Sequence, residues 1–178
     1  YLAVHDNTDL YLYRDDFKGA AEIPSADFYQ TAGGMDLSVD TADGSMTLDA
    51  EGLTDAIAAL TAYAGDASLS CDVILSRCGG GFWFLLNHRV TNVYTKIGYN
   101  AETQNFEIVD RNNDDVTETV KAAGTLLTDT TVHFEVKAEQ TENGKRVTLY
   151  RDGAAVITQN RAAAQRGKVG FILSDSTA

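Results

Sequence analysis

"VHFEVKAEQTENGKRVTLYRDGAAV", residues 132–156, decides the fold. Val132, Phe134 and Val136 alternate with His133, Glu135 and Lys137, a period of two that puts the apolar set on one face of an extended strand. Glu142-Asn143-Gly144-Lys145 supplies the residues of a tight hairpin, because glycine adopts a positive φ without strain. Val147 and Leu149 then point inward and Thr148 and Tyr150 outward, until Asp152-Gly153 turns the chain again and residues 154–158 run back. The stretch is therefore three antiparallel strands, and Phe134 and Leu149 are expected to be buried on neighbouring strands of one hairpin.

The same grammar extends upstream. "DVILSR" meets the glycine-rich turn Cys78-Gly79-Gly80-Gly81 and then "FWFLLN", while "VYTKIGY" turns through "NAETQN" into "FEIVD" and the polar loop "RNNDD". "KVGFIL" is a further strand near residue 170. Turns at this spacing predict an all-β, two-sheet antiparallel β-sandwich. One segment stands apart. "EGLTDAIAALTAYAG" is rich in helix formers and read alone gives a helix over residues 54–63, but its apolar positions form no helical stripe and its neighbours are strands, so a strand over residues 56–61 is preferred.

The 178 residues suit a single domain over residues 1–178, expected to be part of a longer multidomain chain. The net charge of −12 argues against nucleic acid and anionic membranes as partners, and no apolar run has the length of a membrane span. Cys71 and Cys78 lie on one run; extended, it separates their Cα atoms by about 23 Å, against the roughly 7 Å that a disulfide allows. Two free, buried thiols are expected.

Catalytic signatures are missing. There is no E-x-D-x-x-E strand, no G-x-S-x-G elbow and no H-E-x-x-H, and Glu107 and Asp110 lack the spacing of a carboxylate pair. His5, His88 and His133 stand singly, with His133 facing solvent. The acidic clusters Asp6/Asp9, Asp15/Asp16 and Asp110 to Asp115 read most simply as solvated turn charges, and "DRNNDD" lacks the glycine of a calcium loop. For binding, an aromatic ring stacks on the C–H face of a sugar and planar polar groups take its hydroxyls. Trp83, Tyr94, Tyr99 and Tyr150 are the aromatic candidates, with Asn87, His88, Asp110 and Arg111 as polar partners. Trp83 sits between Phe82 and Phe84 in an apolar run and reads first as a core residue. Tyr94 and Tyr99 fall on opposite faces of one strand, so one should be core and one exposed. Asp110 and Arg111, an acceptor beside a rigid fork of donors, are the preferred polar site, with an exposed aromatic nearby.

The order "YRDDF", "LSCDVILSR", "VHFEVKAEQTENGKRVTLYRDGAAV", "GKVGFILSDSTA" resembles the concanavalin A-like, laminin-G-like lectin and glucanase superfamily, over most of the chain. Within it, "KIGYNAETQNFEIVDR", residues 96–111, is similar to a segment of the C-terminal β-sandwich of β-fructosidases, where an Asp-Arg pair follows such a hairpin; the Ser-Gly that commonly follows that pair is replaced here by "NNDD". "GFILSDSTA" resembles the last core strand of levan-binding modules. The resemblance implies a concanavalin A-like jelly roll and a non-catalytic carbohydrate-binding module that holds a secreted bacterial glycan-degrading enzyme on its polysaccharide or oligosaccharide, with a fructan the leading ligand. It implies an extracellular or cell-surface, monomeric protein without a cofactor, and admits a structural calcium at Asp15 and Asp16. Two other readings stay open: a structural or adhesive sandwich domain of a bacterial surface protein, and a glycoside hydrolase domain of the same superfamily.

Overall fold

The computed structural model describes residues 2–6, 11–15, 28–31, 35–40, 42–64, 67–75, 79–90, 92–161 and 166–175. In chain order the strands are β1 (Leu2–Asp6), β2 (Tyr11–Asp15), β3 (Phe28–Thr31), β4 (Asp36–Asp40), β5 (Ser45–Asp49), β6 (Ala56–Ala64), β7 (Ala67–Ile74) and β8 (Gly81–Val90). They continue as β9 (Val93–Asn100), β10 (Asn105–Asn112), β11 (Asp115–Ala123), β12 (Thr131–Thr141), β13 (Gly144–Arg151), β14 (Ala154–Arg161) and β15 (Gly167–Ser174). The described residues contain no helix. A six-stranded sheet runs β14-β13-β12-β7-β1-β2 and a seven-stranded sheet runs β11-β10-β9-β8-β15-β6-β3, while β4 and β5 pair only with each other. The chain is an antiparallel β-sandwich.

The decisive stretch folds as its pattern dictates. β12 and β13 pair with Val136 opposite Leu149 and turn through Glu142 and Asn143. Asp152 (φ 51°) and Gly153 (φ 80°) are both left-handed, the geometry of a two-residue hairpin turn whose twist suits the flanking strands. Phe134 and Leu149 are buried. Where the sequence suggested a polar loop at 111–115, β10 instead runs on to Asn112. Only Asn113, at φ 57°, and Asp114 separate it from β11.

β8 explains why a strand can be apolar on both faces. Phe82, Phe84 and Leu86 enter the main core between the sheets, and Trp83 and Leu85 join Ile57, Ala59, Tyr94 and Ile172 on the outer face of the seven-stranded sheet. The main core is aromatic: Phe82 stacks on Phe171 with centroids 5.9 Å apart, meets Phe84 edge-on at 5.3 Å, and both approach Phe134 of the opposite sheet at 6.3 and 6.4 Å. The alanine-rich segment is a strand. β6 lies between β15 and β3, and a methyl at Gly170 of β15 would come within 2.1 Å of the Ala58 carbonyl oxygen. Small side chains allow that approach, and sheet pairing overrides helix propensity.

Cys71 is a free thiol in β7, turned into the core, and burial pushes its pKa up from 9.0 to about 12. Cys78 lies outside the described residues. Burial keeps the Cys71 thiol protonated at neutral and mildly alkaline pH, so in a Cys78→Ser background an aromatic disulfide reagent should label the native protein far more slowly than the protein in denaturant. The raised pKa also sets a pH dependence. Stability from the neutral buried thiol is complete below about pH 9 and is lost as the pH rises towards about 12, so over that window native stability should fall more steeply than in Cys71→Ala.

Candidate functional site

Successive residues of a strand project to opposite faces, and this rule divides the sequence-derived site in two. In β10, Phe106 and Ile108 point into the main core, so Asp110 points inward and Arg111 outward. The two neighbours in sequence do not converge on one ligand.

On the outer face Arg111 lies opposite Tyr94 of β9. Its Nη1 donates to the Tyr94 hydroxyl at 3.3 Å and to Asp55 Oδ2 at 3.5 Å, and its Nε donates to the carbonyl of Asn113 at 3.3 Å. The Tyr94 hydroxyl in turn donates to Asp55 Oδ2 at 3.4 Å, and Lys96 Nζ donates to Asp55 Oδ1 at 2.8 Å. One carboxylate thus gathers an ammonium, a guanidinium and a phenol. Burial, followed by the Asp55 charge, raises the Tyr94 pKa, while the Tyr94 hydrogen bond raises that of Arg111. Both groups keep their protons at neutral pH. The Arg111, Asp55 and Lys96 side chains are 30, 24 and 13% exposed, so a ligand can reach the first two.

Asp55 is placed by the end of β15. The residue has φ 50°, a left-handed conformation that Asp tolerates better than most residues. Its N–H donates to Ser174 Oγ at 2.9 Å, and that hydroxyl donates back to Asp55 Oδ1 at 3.3 Å. The preceding turn is tied down as well: Asp175 N–H donates to the Leu53 carbonyl at 2.8 Å and Gly52 N–H to Asp175 Oδ2 at 3.4 Å. Backbone strain held by surrounding bonds is common where a side chain must be aimed.

Trp83 anchors the same face. It is 2% exposed, its Nε1–H donates to Glu107 Oε1 at 3.2 Å, and Lys96 Nζ sits 4.1 Å from its ring centroid. Asn100 Nδ2 donates to the same Glu107 oxygen at 3.3 Å. The indole crosses from β8 to β10 because the intervening residue on β9 is Gly98, where a Cβ would fall 2.2 Å from the Phe82 carbonyl oxygen and 2.5 Å from the Trp83 Cα.

On the inner side, Asp110 pairs with Arg161 of β14 and so links the two sheets. Thr95 Oγ1 donates to Asp110 Oδ1 at 2.7 Å and accepts from Arg161 Nη1 at 2.7 Å and from Asn87 Nδ2 at 3.5 Å. Burial lowers the Arg161 pKa. Asn87, at φ 57°, therefore belongs with Asp110, in a cluster that fastens the sandwich edge.

Tyr94 and Tyr99 do face opposite ways, yet both are buried: Tyr94 in the outer cluster, Tyr99 in the main core against Phe106 at 5.3 Å. The expectation of one exposed tyrosine fails because the outer face of this sheet is itself apolar around Tyr94. Tyr150 is half-buried beneath Lys137 Nζ, 5.2 Å from its ring centroid. His88 is buried and its pKa lowered, first by burial and then by Lys168. His133 is half exposed and pairs with Asp72 at 2.7 Å. The calcium expectation at Asp15 and Asp16 falls outside the description, apart from the backbone of Asp15 at the end of β2. Asp55, Lys96 and Ser174 were missed by sequence reasoning. The one signal was Lys96 itself, a charge on a strand whose neighbouring strand, β8, is apolar on both faces.

No protein-family model matches the chain, and no curated protein matches it. Among solved structures the chain is similar to the carbohydrate binding module CBM66 from Bacillus subtilis, at 15% sequence identity and a TM-score of 0.69, covering 84% of this chain and 88% of that one. The likeness is one of fold, and it extends through most of the sandwich.

Proposed function

We propose that the chain is a non-catalytic carbohydrate-binding module, and that Arg111 and Asp55 form its polar grip. The carrying observation is the partly exposed Asp55–Arg111 pair backed by Tyr94 and Lys96 on one sheet face. A carboxylate accepts hydrogen bonds from vicinal hydroxyls, and the guanidinium donates to their oxygens through a planar fork. Arg111 Nη2 carries two N–H groups beyond those given by Nε and Nη1 to Asn113, Tyr94 and Asp55. The fold shared with a solved carbohydrate binding module supports the reading. So does the state of Glu107, whose carboxylate is buried and accepts from Trp83 and Asn100 rather than standing free for acid–base chemistry. Within this reading a fructan is the first ligand to try, and the module serves a secreted bacterial glycan-degrading enzyme by holding it near its polymer, which raises the local substrate concentration.

Calorimetry with levan, inulin and a panel of plant and microbial glycans tests this. Arg111→Ala should weaken binding by about 1–3 kcal/mol, because Asp55 and Tyr94 lose a donor in a partly buried setting. The fold should persist, since Arg111 is outside the core clusters. Unchanged affinity in Arg111→Ala moves the site elsewhere. A structural or adhesive sandwich is the second reading, favoured by the mutual pairing of Asp55, Lys96 and Arg111 and by the burial of Trp83, Tyr94 and Tyr99. Failure of the intact chain to bind any glycan decides for it.

A further inference from the structure

Of the four aromatic candidates, Trp83, Tyr94 and Tyr99 are buried, and Tyr150 is partly open to solvent. It lies away from the Arg111 grip, on the other sheet. In β13, Val147 and Leu149 enter the main core, so Tyr150 points outward. The same alternation turns Glu135 and Lys137 of β12, and Ser68 and Ser70 of β7, to that outer face, because Phe134, Val136, Leu69 and Cys71 point inward. Register then aligns them. Ser70 lies opposite Glu135 and Glu135 opposite Tyr150, so the three form one row across β7, β12 and β13. The row is two strand spacings long, about 10 Å, the span of two linked sugar rings.

Each member of the row keeps a polar atom uncommitted. Ser68 Oγ donates to Glu135 Oε1 at 3.1 Å and Lys137 Nζ meets the same oxygen at 3.2 Å, which leaves Oε2 to accept from a ligand. Among the described residues, neither the Tyr150 hydroxyl nor Ser70 Oγ has a hydrogen-bond partner. Lys137 Nζ holds the Tyr150 ring from one side, whereas Ala155, its neighbour on β14, is exposed and offers only a methyl. The face is also balanced in charge. The carboxylates of β7 and β12 each have a basic neighbour: Asp72 meets His133 at 2.7 Å, Glu135 meets Lys137, and Glu139 meets Arg146 at 3.4 Å. An aromatic ring with free hydroxyls and a free acceptor, on a face whose charges are paired, suits a neutral polyhydroxy ligand better than an ion.

We propose that this row is a second glycan-binding face, for a neutral segment of two linked sugars whose C–H face lies on the Tyr150 ring and whose hydroxyls meet Glu135 Oε2 and Ser70 Oγ. The inference rests on the carbohydrate-binding reading above and adds a site to it. The Arg111 grip and the Tyr150 row sit on the outer faces of opposite sheets, so one module holds two glycan chains at once.

Tyrosines supply the readout for both sites. The whole protein, labelled at its tyrosine rings, is followed by nuclear magnetic resonance: Tyr150 reports the row, Tyr94 the Arg111 grip, and Tyr99 in the main core the fold. Tyr150→Phe, Tyr94→Phe and Tyr99→Phe assign the three signals. The probes are the tetrasaccharides of levan, inulin, cellulose, xylan and galactan, with tetragalacturonate as the acidic counterpart of the last. A neutral tetrasaccharide should move Tyr150 saturably, in the millimolar range of a weak site, and do so equally in Arg111→Ala, where the Tyr94 response is weakened. Glu135→Gln should weaken the Tyr150 response by about threefold, because a charged acceptor becomes a neutral one, and leave the Tyr94 response unchanged. Movement of Tyr94 with Tyr150 still overturns the proposal and leaves the Arg111 grip standing. Loss of the Tyr150 response in Arg111→Ala overturns it too, as does tighter binding of tetragalacturonate than of the galactan tetrasaccharide at Tyr150. Movement of neither tyrosine by any probe overturns both sites.

Discussion

Phe134→Ala should lose about 3–5 kcal/mol of unfolding free energy, the cost of emptying a buried phenylalanine site. The ring is 2% exposed and meets Phe82, Phe84 and Phe106 of the opposite sheet, at centroid distances of 6.3, 6.4 and 6.2 Å. It is therefore a tie between the sheets, and its loss opens a void bounded by strands that are hydrogen-bonded on both sides. β12 lies between β7 and β13, and β8 between β15 and β9, so neither wall can move inward without disturbing a ladder. Urea denaturation monitored by Trp83 fluorescence measures the change. A loss below about 1 kcal/mol places Phe134 outside the core.

Gly98→Ala should cost about 2–3 kcal/mol and, on the carbohydrate-binding reading proposed above, remove glycan binding along with the stability, a coupling that a simple core variant would not show. The added Cβ meets the Phe82 carbonyl oxygen and the Trp83 Cα on the adjacent strand, and backbone atoms cannot rotate away as a side chain can. Relief requires β9 to shift from β8. That shift breaks the indole bond from Trp83 to Glu107 and displaces Lys96, and with it the positioning of Asp55. The contrast with Arg111→Ala is diagnostic: that change should reduce binding and leave stability nearly intact, whereas Gly98→Ala should lower both. A Gly98→Ala protein of native stability removes the glycine's role.

The fold was legible because most strands alternate and most turns carry Asp, Asn or Gly at the required place, as in the Asp152-Gly153 turn after β13. The alanine-rich β6 was readable only from its surroundings, since its own residues favour a helix and the sheet pairing that decides the matter joins residues far apart in sequence. The site was half legible. Arg111, Tyr94 and Trp83 do share a face, and the period of two along "FEIVDR" and "VYTKIGY" already separated Asp110 from Arg111. Asp55 was invisible for a different reason. It reaches Arg111 only through the register of β6, β15, β8 and β9, and that strand order is not written in any local motif.

The position of β15 bears on how the protein is made. This strand, residues 167–174, lies between β8 and β6 inside the seven-stranded sheet, with β1 equally interior to the other sheet. During synthesis, β6 and β8 leave the ribosome long before the strand that joins them, and each waits with an unpaired apolar edge. Non-local pairing of this kind slows folding, and open edges recruit other chains. The half-made protein is thus at its most vulnerable to aggregation just before residues 167–174 emerge. Slow translation of the preceding stretch should lower its yield, and a chaperone that covers strand edges should restore it.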